Sequence, residues 1–363
     1  MRLQLVNMLA AGGFSLRKWA SNAAELLEDL PTKDRAIDMD YSLDEDSSIK
    51  VLGIAWAPQD DAFSFRILLP PPSAATKRLI LATIARIFDP LEWATPVIII
   101  AKILMQELWI RTCDWDEPLP TDLNERWKTY RGSLQSLDKI RIPRWTGLSK
   151  HVIHVELHGF SDASIKAISA VVYMRITYSR DVKVTLIAAK SKVAPIKTLP
   201  IPRLELSGAV LLVRLLRYVV DAMQSPNIAI HCWTDSTIVL EWLKKHPSTW
   251  ATFVANRVSK IQTELPSATW HHVPTNSNPA DIASRGVTPA EFASCRLWWS
   301  GPDWLEQALS LWPMCTSKDT GEDTRGVCSE IRKGAVLHIR DWPSRLLWTT
   351  FHIDCHRGRV FLE

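Results

Sequence analysis

The chain carries no closely spaced pair among its six cysteines, at positions 113, 232, 295, 315, 328 and 355. That absence argues against a disulfide framework and against a closed zinc site, both of which need thiols at fixed short intervals. No signal peptide is evident at the N-terminus, so none is expected. The most apolar run, Val97 to Ala101, is interrupted by Lys102 and Glu107, far short of the ~20 residues a membrane-spanning helix requires. No internal repeat is apparent. Net charge is only +4 over 363 residues, so overall charge names no partner. What is present is a 47% hydrophobic composition with 17 tryptophans, enough to bury substantial cores in two or more domains.

Four acids stand where secondary structure would hold them rigidly. His151 to Asp162 reads as a strand, Ala163 to Lys166 as a turn and Ile168 to Met174 as the returning strand, so Asp162 ends a hairpin strand. Pro202 opens a helix whose polar stripe is Arg203, Ser207, Arg214 and Arg217. Glu205 lies off that stripe, among Leu204, Gly208, Ala209 and Leu212, where an uncompensated charge costs several kcal/mol. Ile228 to Thr234 reads as a buried strand and Ser236 onward as a helix. Asp235 therefore sits at a strand's C-terminal end, where open α/β sheets place ligands. A short strand at Thr269 to Val273 leads to Asn278 as N-cap, Pro279 as first helical residue, Asp281 in the first turn and Gly286 as terminator. Singly these acids read equally well as a turn residue, a cap or dipole compensation. Their order, strand-Asp, helix-Glu, strand-Asp, helix-Asp, is what suggests a metal-dependent nuclease centre.

The blocks "FSDAS", "LELSG", "WTDS" and "NPADIASRG" resemble the ribonuclease H domain of retroelement polyproteins. "GGFSLRKWASN", "LGIAWAPQDDAFSF", "TKRLILATIARIFDPLEWATPVIIIAKILMQELW", "HVPTNSNPADIASRG" and "LWWSGPDWL" resemble, more narrowly, the Pol polyprotein of Pao/BEL long-terminal-repeat retrotransposons. The resemblance implies an α/β, ribonuclease H-like mixed five-stranded sheet with flanking helices over residues 146–290. A reverse-transcriptase palm edge would occupy 1–60, a mainly helical thumb or connection region 61–145 and a partly irregular tail 291–363. It also implies that Asp162, Glu205, Asp235 and Asp281 bind two Mg²⁺ ions, with Mn²⁺ a substitute. In such centres the ions lie about 4 Å apart, one activating a water and the other stabilising the leaving 3′ oxygen. Ser164, Lys190, Lys192, Arg203, Ser236 and Asn276 are the expected nucleic-acid contacts. The implied activity is cleavage of RNA in RNA/DNA hybrids, the implied partners are the hybrid and the rest of Pol (polymerase palm and integrase), and no membrane or small-molecule cofactor is implied. The implied location is cytoplasmic, in virus-like particles, with the nucleus as a further option.

Two departures carry consequences. Asn276 stands where related enzymes commonly have a loop histidine, and asparagine cannot titrate. His271 and His272 lie just upstream, on opposite faces of their strand, so at most one reaches the site. Glu92 in "FDPLEWATP" replaces a more usual glycine. No Tyr-any-Asp-Asp motif occurs, so DNA synthesis is not expected, and "IDMDYSLDEDSS" reads as a solvated loop. No Asp-Thr/Ser-Gly loop supports a retropepsin-like protease. A catalytically decayed, hybrid-binding module is the stronger alternative. From Lys166 to Arg217 ten Lys and Arg face two acids, and from Glu25 to Asp61 eleven acids face three bases, which reads as a basic stripe beside the site. Trp233 and Trp242 read as core, Trp298, Trp299 and Trp304 as a cap after the nuclease block, and "HIDCH" as an incomplete integrase-like zinc module.

Overall fold

The computed structural model describes residues 2–36, 49–51, 54–69, 74–225, 227–313, 327 and 329–332. The acidic segment 37–48 and the "HIDCH" segment lie outside the described residues. The elements are α1 (Arg2–Ala11), β1 (Ile49–Val51), β2 (Ile54–Ala57), β3 (Ala62–Ser64), α2 (Lys77–Arg86), α3 (Thr95–Ile110), α4 (Thr121–Ser133), β4 (Ile142–Pro143), β5 (His154–Ala163), β6 (Ala167–Thr177), β7 (Val182–Val193), α5 (Ile201–Met223), β8 (Ala229–Thr234), α6 (Thr237–Lys244), α7 (Thr252–Glu264), β9 (Thr269–His272), α8 (Pro279–Arg285), α9 (Pro289–Phe292) and α10 (Arg296–Ser300). Among the described residues no helix is long and apolar enough to cross a membrane.

Strands β5 to β9 form one mixed sheet in the order β7-β6-β5-β8-β9. The first three are antiparallel, as the tight turn after Asp162 requires, and β8 and β9 join parallel to β5 through helical crossovers. The five-stranded mixed sheet expected for 146–290 is the sheet observed. Helix α5 covers one face. Its buried stripe, including Leu206, Leu212 and Leu216, meets Leu157, Val172 and Met174 of the sheet. Each such side chain fully removed from water contributes about 1.5–3 kcal/mol.

The other face packs α3, α8 and α10, with Phe160, Tyr173 and Trp233 continuous with Val97, Leu104, Leu108 and Trp127. This one core draws on both the 61–145 and the 146–290 segments. Trp233 and Trp242 are buried, and so is Trp298, whose indole N–H donates to the Trp93 carbonyl at 2.8 Å. Trp304 packs against Trp233 at a tilt, with ring centroids 4.6 Å apart. Helix α2 starts at the Thr76 cap, whose hydroxyl accepts the Leu79 N–H, a device contributing about 1 kcal/mol.

Glu92 adopts φ +53°, the left-handed conformation that a glycine takes without strain. Its carboxylate is held by Lys190 and lies 3.9 Å from Lys102. The turn keeps its shape with a side chain because two lysines bind that side chain down.

Candidate active site

Residues alternate across a strand, so Glu156, His158, Phe160 and Asp162 share one face of β5. Asp162 sits at its C-terminal end, opposite Ser169 of β6, and is 5% exposed. Helix α5 crosses behind it with no room to spare, since a Cβ added at Gly208 would lie 2.9 Å from the Asp162 carbonyl oxygen. That approach brings Glu205, one turn earlier, into the same neighbourhood. Asp235 follows the last residue of β8. Ser236 then caps α6, its hydroxyl accepting the Val239 N–H at 3.2 Å and also bonding to Glu205.

Helix α8 is pinned to the sheet by short polar side chains. The buried Asn278 accepts the Ala280 N–H and donates to the Ser161 carbonyl at 3.2 Å. Ser169 donates to the Ala280 carbonyl at 2.6 Å, Ser164 donates to the Ser284 carbonyl at 2.9 Å, and Ser284 donates to the Asp162 carboxylate. These contacts aim Asp281 at the ends of β5 and β8. Gly286, at φ +87°, ends the helix.

The four carboxylates lie near enough to feel one another's charge. Burial raises Asp162 to about 6; the Ser284 hydrogen bond opposes this, and the negative charges of Asp235 and Asp281 add to it. Burial raises Glu205 to about 7 against the Ser236 hydrogen bond, with Asp235 and Asp162 adding repulsion. Burial likewise raises Asp235, which accepts from the Thr275 hydroxyl at 2.9 Å and feels Asp281 as a further repulsion and His272 as a relief. The other Asp235 oxygen is buried without a hydrogen-bond partner. Arg285, 2.6 Å from Asp281, is the guanidinium at the rim. A cluster of hard oxygen donors, crowded enough to resist ionisation and holding one unpartnered oxygen, has the chemistry of a divalent-cation site.

The remaining expected contacts fall around this centre. Ser164 and Ser236 are occupied by the internal bonds just described. Lys192 is exposed on β7, opposite Ile168. Asn276 is exposed in the turn Thr275–Ser277. Lys190 is paired with Glu92 and Arg203 with Glu330. The basic stripe needs correction as a surface feature. Arg175 is buried against Glu156, and Arg217 pairs with Asp221, so much of the counted excess is neutralised within the fold. Of the two histidines, His272 is the one felt by Asp235, whereas His271 stacks on Trp233 at 4.5 Å. Thr275, Ser284 and Arg285 were missed by the sequence reading, although the Ser and Arg one turn beyond Asp281 in "NPADIASRG" are a signal for them.

A second cluster joins Glu156, His158 and His231, whose donor atoms lie within 4.8 Å of one another. It suits a cation poorly. Arg175 already donates to Glu156 at 2.8 Å, and the Trp233 indole N–H donates to His158 Nδ1 at 3.2 Å. His158 therefore keeps its proton on Nε2, the atom that would have to bind a metal. Burial would raise Glu156, but the ring N–H groups of His158 and His231, at 3.7 and 3.6 Å, and the Arg175 guanidinium hold it well below the usual carboxylate range.

No curated protein matches the chain. Among solved structures, ribonuclease H1 of the archaeon Halobacterium salinarum is 14% identical over 35% of this chain and 90% of its own, with a TM-score of 0.24. LC11 ribonuclease H1, isolated from compost and solved with an RNA/DNA hybrid, is 14% identical over 35% of this chain and 91% of its own, with a TM-score of 0.25. The foamy viral protease-reverse transcriptase bound to double-stranded DNA is 16% identical over 63% of this chain, with a TM-score of 0.23, and this chain spans 45% of its length. The fold assignment rests instead on the strand order above and on the family match. Residues 76–236 match the family model described as the Pao retrotransposon-like RNaseH-like domain, and the sheet has the strand order of a ribonuclease H-like fold.

Proposed function

We propose that this chain hydrolyses the RNA strand of RNA/DNA hybrids with divalent metal ions held by Asp162, Glu205, Asp235 and Asp281. The observation that carries the reading is the gathering of four carboxylates from four elements, three of them (Asp162, Glu205 and Asp235) penalised by burial and by neighbouring acids, with an Asp235 oxygen buried and unpartnered. Bound there, Mg²⁺ would supply an activated water and charge neutralisation at the scissile phosphate. The chain's own groups prepare the site. Ser284 and Thr275 fix the Asp162 and Asp235 carboxylates by hydrogen bonds, and Ser236 does the same for Glu205. Arg285 balances part of the charge from the rim. The sugar-phosphate geometry and 2′-hydroxyls of the hybrid, not its base edges, are the features such a site reads.

The test is cleavage of a labelled hybrid by the purified chain. Cleavage is expected with Mg²⁺ and not with EDTA, duplex DNA is expected to stay intact, and Asp235→Asn is expected to lower the rate at least about a hundredfold, the loss that accompanies ångström-scale misplacement of a reacting group. Cleavage in EDTA would refute the reading. One observation favours a binding-only module, the exposed Asn276 at the place of a loop histidine. A folded chain that binds hybrid and cleaves nothing would establish that alternative.

A further inference from the structure

On the far side of α5 from the sheet, two guanidiniums lie over one aromatic ring, and a third, that of Arg214, is near enough for Arg257 to feel its charge. Arg257 lies 3.4 Å and Arg203 4.9 Å from the Phe253 ring centroid. Burial and then the positive charges of Arg203 and Arg214 lower the Arg257 pKa, so the group is crowded enough to repel itself. Arg214 is exposed. The acid that meets this face comes from far along the chain. Glu330 accepts from Arg203 Nε at 2.6 Å and is 7% exposed. Its segment is laid against the start of α7 by backbone bonds, Ala251 N–H to the Glu330 carbonyl at 2.7 Å and Arg332 N–H to the Thr249 carbonyl at 2.9 Å.

The fit is incomplete. The second Glu330 carboxylate oxygen is buried with no hydrogen-bond partner, an unfavourable condition for a charged group. One carboxylate therefore pairs with one guanidinium of the group and satisfies only one of its own oxygens. A phosphodiester offers a delocalised anion with more acceptor atoms, and arginines over an aromatic ring are suited to it.

We propose that the arginine face of α5 and α7 is a contact for a nucleic-acid backbone phosphate, and that residues 329–332 occupy it in the unliganded chain, with Glu330 standing where the phosphate would lie. This inference rests on the hybrid as substrate but not on its hydrolysis. The segment is a built-in competitor, and binding of hybrid displaces it.

Binding of a labelled RNA/DNA hybrid is measured in EDTA across a salt series, so that failure to cleave cannot obscure the result. Glu330→Gln is expected to tighten binding by about threefold or more at low salt and to steepen the plot of log K against log salt by about one. Adding Arg214→Gln to that variant removes the gain. A folded Glu330→Gln chain with unchanged affinity and slope overturns the proposal. A second measurement needs no variant. Hybrid added to the unaltered chain accelerates tryptic cleavage after Arg332, read by mass spectrometry, and an unchanged or slowed rate at that bond also overturns it.

Discussion

Glu205 lets the carboxylate cluster be tested by stability alone. Its carboxyl moves from 4.5 to about 7 on folding, chiefly by burial. At about 1.4 kcal/mol per pH unit, the ionised side chain costs the native state about 3 kcal/mol. Between pH 4.5 and 7 the native chain holds a proton that the unfolded chain has released, so this contribution makes stability fall as pH rises. The full cost is present above pH 7 and absent below the unfolded value. Asp162, raised to about 6, acts in the same direction. Because Asp162 is itself part of the Glu205 penalty, the two costs do not simply add.

Denaturant melts of the unaltered chain and of Glu205→Gln, in EDTA and at several pH values from 5 to 8, isolate the effect by difference. Glutamine keeps an acceptor for Ser236 and removes the charge, so the variant should be more stable in EDTA at pH 8 by up to about 3 kcal/mol and nearly equal at pH 5. Magnesium narrows the difference. An ion at about a hundredfold its Kd stabilises by about 2.7 kcal/mol, and the variant should lose most of that gain. If Glu205→Gln is destabilising in EDTA at pH 8, or if the difference does not depend on pH, the acids do not form a mutually repelling cation site.

Two further substitutions probe how the site is held. Ser284→Ala removes the hydroxyl that donates to Asp162; it should cost about 1.5–3 kcal/mol in melts at pH 8 and raise the Asp162 pKa further, seen as a shift of its carboxyl NMR titration to higher pH. Gly208→Ala would gain nearly 1 kcal/mol from helix propensity alone, but its methyl would meet the Asp162 carbonyl at 2.9 Å. Overpacking of about 1–3 kcal/mol should win, so melts should show net destabilisation, with hybrid cleavage falling in parallel.

The four acids were legible because local chemistry marks their positions. Pro202, Asn278, Pro279 and Gly286 punctuate helices, and the alternation before Asp162 and the apolar run before Asp235 mark strand ends. Long-range pairing was not legible. A count of basic residues could not distinguish Arg175, buried against Glu156 and bonded to the Leu305 carbonyl, from an exposed Lys192. Nor could it show Lys190 tied to Glu92 or Arg203 to Glu330, whose partners lie 98 and 127 residues away in the chain. Charge patterning along a sequence reports faces of single elements, and ion pairs form between elements.

The same long-range packing ties the fourth carboxylate to elements well upstream of the first one. Asp281 is carried by a seven-residue helix, α8, too short to be stable by itself. One side of α8 is pinned by Asn278 and the three serines. Its other side is closed by α3, where the Val287 N–H donates to the Pro96 carbonyl at 3.0 Å and a Cβ at Gly286 would lie 2.6 Å from Ile100. Helix α3 is fixed to the sheet in turn, through the Trp93 indole N–H to the Ile187 carbonyl, the Ala189 N–H to the Leu91 carbonyl and the Glu92 turn. The fourth carboxylate is therefore aimed by upstream helices that contribute no acid to the cluster, and the Glu92 turn, at a strained φ far from the carboxylates, belongs to the structure that sets their geometry.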